Sequence, residues 1–151
     1  MTSLSRIAGG STAIAAFGVI CFLGGLSVAR EPAPAVAVLM STGKTVIGQP
    51  IDYPTGSPAK VTAAVITMQP GQSTGWHRHD VPLFGYMLEG EITVDYGPKH
   101  GKKVYAKGDT LMEAIGEPHY GAATSSGPAS ILAVFVGADD VKNTENVAAP
   151  H

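Results

Sequence analysis

Cysteine is almost absent from this sequence, and so is any concentration of charge. The only cysteine, Cys21, excludes an intramolecular disulfide, so the chemistry of the protein must come from other side chains. Charged residues make up 15% of the chain, with 10 basic and 12 acidic residues and no block of one sign. A general nucleic-acid binder needs a basic face, and this class is therefore excluded. At 151 residues, the chain is expected to form one domain.

Long apolar runs are also lacking, except near the N-terminus. One run extends from Ile7 to Val28 without a charged residue. At its end, Ser27-Val28-Ala29 resembles a signal peptidase site. We therefore expect residues 1–29 to be an export signal, which would place the folded part in the periplasm or outside the cell. A spanning helix needs only ~20 apolar residues, so an uncleaved membrane anchor over residues 7–28 is the alternative.

Helical periodicity is missing from the rest of the chain. Residues 30–37 contain Pro32 and Pro34 and are expected to be a linker. Residues 38–137 are expected to form the domain. Residues 138–151 lack an apolar pattern and are expected to be an exposed tail. Short β-rich runs separated by Gly, Pro and Asp fill the domain, which predicts an all-β sandwich or small barrel. The predicted strands are Val36 to Met40, Lys44 to Ile47, Val61 to Met68, Leu83 to Leu88, Glu91 to Tyr96, Lys102 to Tyr105, Thr110 to Glu113 and Ser130 to Val136.

Three local patterns predict how some of these strands are connected. Glu89-Gly90 is typical of a tight hairpin, and residues 97–101 of a longer hairpin loop with a basic tip. The run from Ile131 to Val136 is apolar on both faces, which favours an interior strand.

The candidate chemistry is concentrated in residues 71–79, which end in His77-Arg78-His79. Residues two apart on a strand point to the same face, ~6.6 Å apart along the chain, so these two imidazoles can converge on one ion. An isolated His-x-His pair is more often a surface or hydrogen-bonded pair, and a third ligand is needed for a site. His119, which follows Gly116-Glu117-Pro118 in a turn beyond a further strand, is the natural candidate.

These residues resemble the two short motifs of the cupins, a family of small jelly-roll or double-stranded β-helix barrels. The first motif is matched by Gly71, His77, His79 and Gly90, and the second by Gly108, Gly116 and His119. The resemblance covers about residues 60–137. The sequence departs from the motifs at three positions, which are Leu83 for the usual glutamate, Ala114 for a proline and Ala123 for an asparagine.

The resemblance implies a metal site with three histidine ligands, His77, His79 and His119. The usual cupin site adds a glutamate, but Leu83 cannot bind a metal. Positions for water, substrate or dioxygen would then stay open, as in the similar three-histidine cupins, which include iron-dependent thiol dioxygenases and diketone-cleaving dioxygenases. Imidazoles suit Fe, Zn, Ni and Cu, and Mn is not excluded, so one divalent metal of open identity is expected. The resemblance also implies a homodimer.

Two further residues are candidates for a substrate pocket. Tyr86 lies on the strand that leads to Gly90, where family pockets often place an aromatic or polar group, and core packing is the alternative. Glu113 interrupts an apolar run just before the second motif. Its carboxylate could accept a proton, replace the missing ligand or face water. His100 and His151 are expected to be solvated.

Two functions agree with this sequence. One is a small-molecule enzyme, an oxygenase or related metalloenzyme, in which the metal binds the substrate and dioxygen or acts as a Lewis acid. The other is a non-catalytic cupin that binds or senses a small ligand, since Glu113 is the only obvious acid–base group. A purely structural role remains if the histidines bind nothing.

Overall fold

The computed structural model describes residues 37–53 and 56–151. The expected export signal and all of the expected linker except Ala37 lie outside the described residues. Within the described part, no helix is long and apolar enough to cross a membrane.

The described chain is built almost entirely of β-strands in two antiparallel sheets. The first sheet has the strand order β1-β8-β3-β6 and the second the order β5-β4-β7-β2-β9. The elements are β1 (Ala59–Met68), β2 (Ser73–Arg78), β3 (Leu83–Glu89), β4 (Glu91–Asp95), the one-turn helix α1 (Gly97–His100), β5 (Lys102–Ala106), β6 (Thr110–Met112), β7 (His119–Ala123), β8 (Ala129–Ala138) and β9 (Glu145–Asn146). The predicted all-β jelly roll is confirmed.

The core lies between the two sheets, and the alternation of side chains along the strands produces it. In β8, Ile131, Ala133 and Phe135 are buried while their neighbours are half-buried. The strand lies between β1 and β3, so the prediction of an interior strand is confirmed. The buried residues form a larger cluster that contains Met87 and Ile131, and a smaller one that contains Leu83, Ala133 and Phe135.

The turn at Glu89-Gly90 is not a hairpin, contrary to the prediction. β3 pairs with β8 and β6 in the first sheet, whereas β4 pairs with β5 and β7 in the second, so the chain crosses between sheets at Gly90. Gly90 has a φ of 68°, and a Cβ there would lie 2.3 Å from the carbonyl oxygen of Pro128. The same turn residues can therefore connect two paired strands of one sheet or two strands of different sheets, and the sequence of the turn does not distinguish these cases. The predicted hairpin around residues 97–101 is present, with α1 between the paired strands β4 and β5.

The first two predicted strands are wrong. Residues 37–40 contain no strand, and residues 44–47 form only an isolated bridge between Lys44 and Pro50. The backbone N–H of Thr45 bonds to the carbonyl of Gln49, and that of Gly48 to the carbonyl of Thr45. These local hydrogen bonds make a compact turn, which competes with strand pairing.

Three observed strands, β2, β7 and β9, are absent from the predicted strands, and the small residues of β7 explain why that strand was missed. β7 contains Gly121, Ala122 and Ala123, residue types that are poor in intrinsic strand preference. The strand forms because it pairs with β4 on one side and β2 on the other.

The expected exposed tail, residues 138–151, is only partly free. Most of its side chains beyond Ala138 are exposed, but β9 pairs with β2, with Asn146 opposite His77 and Glu145 opposite Arg78. The next residue, Val147, donates its N–H to the carbonyl of Trp76 at 3.0 Å. Backbone hydrogen bonds hold this segment in place. Because they need no apolar side chains, the sequence has no hydrophobic pattern that would predict the pairing of the segment.

Candidate metal centre

Strand alternation turns His77 and His79 to the inside of the protein. Trp76 and Arg78 face the other way, where Trp76 packs near Tyr120 and Arg78 forms an ion pair with Glu145 at 2.7 Å. Arg78 also lies 3.4 Å from Asp80. β2 thus presents a polar outer face and a histidine-bearing inner face.

The third histidine reaches the same place through strand pairing. His119 is the first residue of β7, and it lies directly opposite His77 in the register of β2 and β7. The preceding turn is tied to the first motif as well, because the N–H of Gly116 donates to the carbonyl of His79 at 2.8 Å.

The structure brings these three imidazoles together in a buried cluster. The ring centroids are 4.4 Å apart for His77 and His119, and 4.9 Å apart for each of the other two pairs. One nitrogen from each ring lies within 4.8 Å of the others. Only 8% of His77, 4% of His79 and 1% of His119 are exposed. The three histidines are therefore positioned to hold a metal ion.

All three rings are held by their Nδ1 atoms. Nδ1 of His77 lies 3.0 Å from the carbonyl of Gly75, that of His119 lies 3.0 Å from the carbonyl of Glu117, and that of His79 lies 2.8 Å from the carbonyl of Asn143. A carbonyl oxygen only accepts, so each Nδ1 carries the hydrogen and each Nε2 keeps its lone pair. Such second hydrogen bonds are the usual partners of histidine ligands, because they fix the tautomer and the ring orientation.

The electrostatic environment keeps the histidines neutral. Burial lowers the pKa of all three, and it lowers the pKa of His79 to about 3. Neutral imidazole is the form that binds metals. The buried Nε2 of His119 has no hydrogen-bond partner among the described residues, which costs free energy unless a ligand provides one. The donor set, its neutrality and this unpaired nitrogen fit a divalent metal ion.

Glu113 is brought to the cluster, just after β6. Its carboxyl is 5% exposed, with Oε2 3.9 Å from Nε2 of His119 and Oε1 accepting the N–H of Ala114 at 2.9 Å. Burial raises the pKa of this carboxyl and lowers that of His119, so both shifts act against a salt bridge between the two groups. Of the three sequence alternatives, a solvent-facing Glu113 does not agree with this position.

Two cavities adjoin the histidines. The inner one, of about 60 Å³, contains Glu113 and is otherwise lined mainly by aliphatic side chains from both core clusters. The outer one, of about 150 Å³, is bordered by Phe135, Thr144 and Asn146. His77, His79 and Leu83 line both cavities, so Leu83 puts an apolar group in the site.

The structure does not bring Tyr86 into the site. In β3, Leu83, Gly85 and Met87 are buried, and Tyr86 alternates with them on the outer face of the sheet. It lines neither cavity at the histidines. His100 was expected to be solvated, but it is half-buried. Its Nε2 is buried and has no hydrogen-bond partner among the described residues.

Sequence reasoning missed the groups that support the site from far away in the chain. Thr144 places its hydroxyl 3.2 Å from Nδ1 of His79, and the buried ring of Tyr96 lies 5.8 Å from that of His119. Thr144 belongs to a segment without any apolar pattern, and Tyr96 has the pattern of an ordinary core residue. No motif in the sequence links either of them to the histidines.

Comparison with known proteins agrees with this fold and site. Residues 64–135 match the family model described as the cupin domain. Among proteins of curated function, none matches the sequence significantly. Residues 64–135 therefore form a cupin domain, with three histidines positioned for a metal ion.

Several solved structures are similar in fold. The polyketide cyclase RemF from Streptomyces resistomycificus is 21% identical, with a TM-score of 0.51 over 69% of this chain and 71% of that chain. A formate complex of oxalate decarboxylase from Lactobacillus farciminis is 21% identical, with a TM-score of 0.51 over 58% of this chain and 26% of that one. Bacillus subtilis oxalate decarboxylase is 23% identical, with a TM-score of 0.50 over 58% of this chain and 24% of that chain. The chain thus spans about a quarter of these decarboxylases, and the likeness concerns the fold alone.

The lowered histidine pKa values predict that the three histidines lower the free energy of unfolding of the metal-free protein in mild acid. Between pH 6.5 and about 3, His79 takes up a proton in the unfolded chain but not in the folded one, so its contribution to the free energy of unfolding decreases as the pH falls. His77 and His119 act in the same direction. Glu113 opposes them, because its raised pKa lets the folded state hold a proton above pH 4.5.

His79 alone contributes a loss of about 2 kcal/mol between pH 7.5 and pH 5. Urea denaturation of the metal-free protein at pH 7.5, 6 and 5 measures this loss. The control is the triple variant H77Q/H79Q/H119Q, in which the loss should be clearly smaller. An equal loss in parent and triple variant would contradict the assignment of the acid sensitivity to these histidines.

Proposed function

We propose that this cupin is an exported small-molecule metalloenzyme of the oxygenase type, with one divalent metal held by His77, His79 and His119. The observation that carries the proposal is the convergence of three neutral imidazoles, each fixed through Nδ1, at the junction of two cavities. A bound metal would supply Lewis-acid polarisation of a substrate oxygen or redox chemistry with dioxygen. Export rests on the apolar run over residues 7–28, and the N-terminal residue of the protein recovered from the periplasm checks it.

The residues of the chain define what such a substrate must be like. The inner cavity of about 60 Å³ admits only a small group, and most of its walls are aliphatic. Glu113 is the only carboxyl that lines it, and its raised pKa favours the protonated form, so it can donate a hydrogen bond or exchange a proton with a bound ligand.

The substrate of the oxalate decarboxylases is not carried over to this chain. Among the described residues that line the two cavities there is no Lys and no Arg. A dianion would find no cationic side chain there to offset its loss of hydration. The lining favours a substrate that is mostly uncharged and presents one metal-binding group, such as a phenol, a diketone or a thiol.

The second candidate function is non-catalytic binding or sensing of a small ligand in the same cavity. The observation in its favour is that Glu113 is the only acid–base side chain in the described lining besides the histidines. A binding module needs no more than the cavity and a metal or hydrogen-bonding group.

Oxygen uptake and product formation discriminate between the two functions. The protein loaded separately with Fe, Mn, Zn, Ni or Cu is incubated with phenols, diketones, thiols and sugar acids. We expect turnover with at least one metal, and a decrease of about 10²- to 10⁴-fold in the rate for Glu113→Gln if the carboxyl transfers a proton. Glu89→Gln, an exposed glutamate at the end of β3, is the matched control and should keep the parent rate. Tight ligand binding without turnover for every metal would favour the binding module.

A further inference from the structure

One of the three histidines depends on a remote part of the chain for its orientation. The carbonyl groups that accept from His77 and His119 lie two residues earlier in the sequence, at Gly75 and Glu117. The acceptor for His79 is Asn143, 64 residues away. Thr144 adds a hydroxyl 3.2 Å from the same Nδ1. Formation of β2 and β7 therefore orients two ligands locally, while the third needs residues 143–147, here called the C-terminal strap.

The C-terminal strap is attached to the histidine strand itself. Glu145 and Asn146 form β9 against Arg78 and His77 of β2, and the N–H of Val147 bonds to the carbonyl of Trp76 at 3.0 Å. The side chain of Glu145 also accepts two hydrogen bonds from Arg78, at 2.7 and 3.1 Å.

The C-terminal strap packs closely against β8. Oδ1 of Asn143 lies so near Gly137 that a Cβ on Gly137 would be only 3.1 Å from it. The strap also borders the outer cavity, through Thr144 and Asn146. The segment that holds His79 is thus also a wall of the space beside the metal centre.

We propose that the C-terminal strap is a positioning element that sets the metal affinity of the site by orienting His79. The imidazole torsion has a broad energy minimum, so the ring needs a second hydrogen bond to aim its Nε2. Loss of such a partner typically weakens metal binding ~10- to 100-fold. The inference rests on the metal site of the proposed function, but it needs no assumption about the reaction.

Shortened chains provide the first test. A chain that ends at Lys142 lacks the whole strap, whereas a chain that ends at Val147 keeps every contact described for it. Affinity for Zn²⁺ is measured by competition with a chromophoric chelator. We expect binding to be ~10- to 100-fold weaker for the chain ending at Lys142 and unchanged for the chain ending at Val147. Equal affinities of the two chains would overturn the proposal.

A double-mutant cycle separates positioning from a general effect on the fold. If the strap acts through His79, removing it should cost little affinity once His79 is alanine, because the ring it orients is gone. In the His119→Ala background, where His79 remains, the cost should persist. An equal cost in the two backgrounds would show that the strap only supports the fold, and would overturn the proposal.

A milder variant keeps the test valid if the shortened chain does not fold. Val147→Pro removes the N–H that bonds to Trp76 and leaves every histidine in place, while Ala148→Pro changes a residue with no such bond. With Co²⁺ bound, we expect the visible spectrum of V147P, but not that of A148P, to shift towards that of His79→Ala. Spectra identical to the parent for both proline variants would contradict the proposal. A parent that binds neither Zn²⁺ nor Co²⁺ would instead overturn the metal site itself.

Discussion

Replacing His77 or His119 by alanine is expected to weaken metal binding so far that the protein is purified without metal, while weak binding to the two remaining imidazoles can still be measured at high metal concentration. Each ring contributes one of the three donor nitrogens, and no other His, Cys, Asp or Glu within the described chain places a ligand atom within 4.8 Å of all three. The loss of a ligand should exceed the ~10- to 100-fold effect of losing a supporting hydrogen bond. Elemental analysis of protein purified without a chelator or an affinity tag should find about one metal per chain in the parent, by the fit of the three donors to one ion.

A thermal shift gives an independent measure of the same site. Metal that binds only the folded state stabilises it by about 2.7 kcal/mol at a concentration 100 times the dissociation constant. The melting temperature of the parent should therefore rise with added metal, and that of the two variants should not. His151→Ala, at the exposed C-terminus, is the control and should behave as the parent. Absence of metal from the parent, even after reloading with Fe, Mn, Zn, Ni or Cu, would contradict the three-histidine site.

Gly90→Ala is expected to be the most damaging single methyl addition at a turn of this fold. A φ of 68° costs an alanine about 1–2 kcal/mol. Its Cβ would also lie 2.3 Å from the carbonyl oxygen of Pro128 and 2.8 Å from Cα of Ala129, which are backbone atoms that cannot rotate away. Overpacking of this kind adds about 1–3 kcal/mol, so the total is several kcal/mol.

The matched control is Gly71→Ala. Gly71 has a similar φ of 77°, but a Cβ there would meet nothing within 4 Å. Only the cost of the backbone strain, about 1–2 kcal/mol, should appear in the free energy of unfolding measured with urea. Similar losses in the two variants would show that the crossing between the sheets is less tightly packed than the structure indicates.

Several features of the fold could be predicted because they depend on neighbouring residues. The run from Ile131 to Val136, apolar on both faces, predicted the interior strand β8, and the glycine-bounded loop at residues 97–101 predicted the hairpin of β4 and β5. The pairing of partners could not be predicted in this way. Glu89-Gly90 has the composition of a hairpin turn, yet β3 and β4 belong to different sheets, because strands further along the chain pair with each of them.

The candidate site likewise has residues that the sequence could predict and residues whose positions depend on the tertiary structure. The spacing of His77 and His79 places both on one face of a strand, and the cupin motifs predicted His119 as their partner. For Glu113 the sequence left three roles open, which were a proton acceptor, a replacement for the missing ligand and a water-facing carboxylate. Only the packing of β6 against the core directs it to the inner cavity, whereas Tyr86 alternates to the outside of β3.

The sequence by itself determined the class of fold and the identity of the three imidazoles, because strand alternation and motif spacing act over a few residues. The tertiary structure alone decided what surrounds them. The carbonyl of Asn143 reaches His79 across 64 residues, and the apolar lining around Glu113 comes from both sheets. Contacts between residues so far apart in the sequence depend on which strands pair and on how the two sheets pack. Every residue type except proline offers the same backbone N–H and C=O groups, so the sequence does not show which of these groups will be partners.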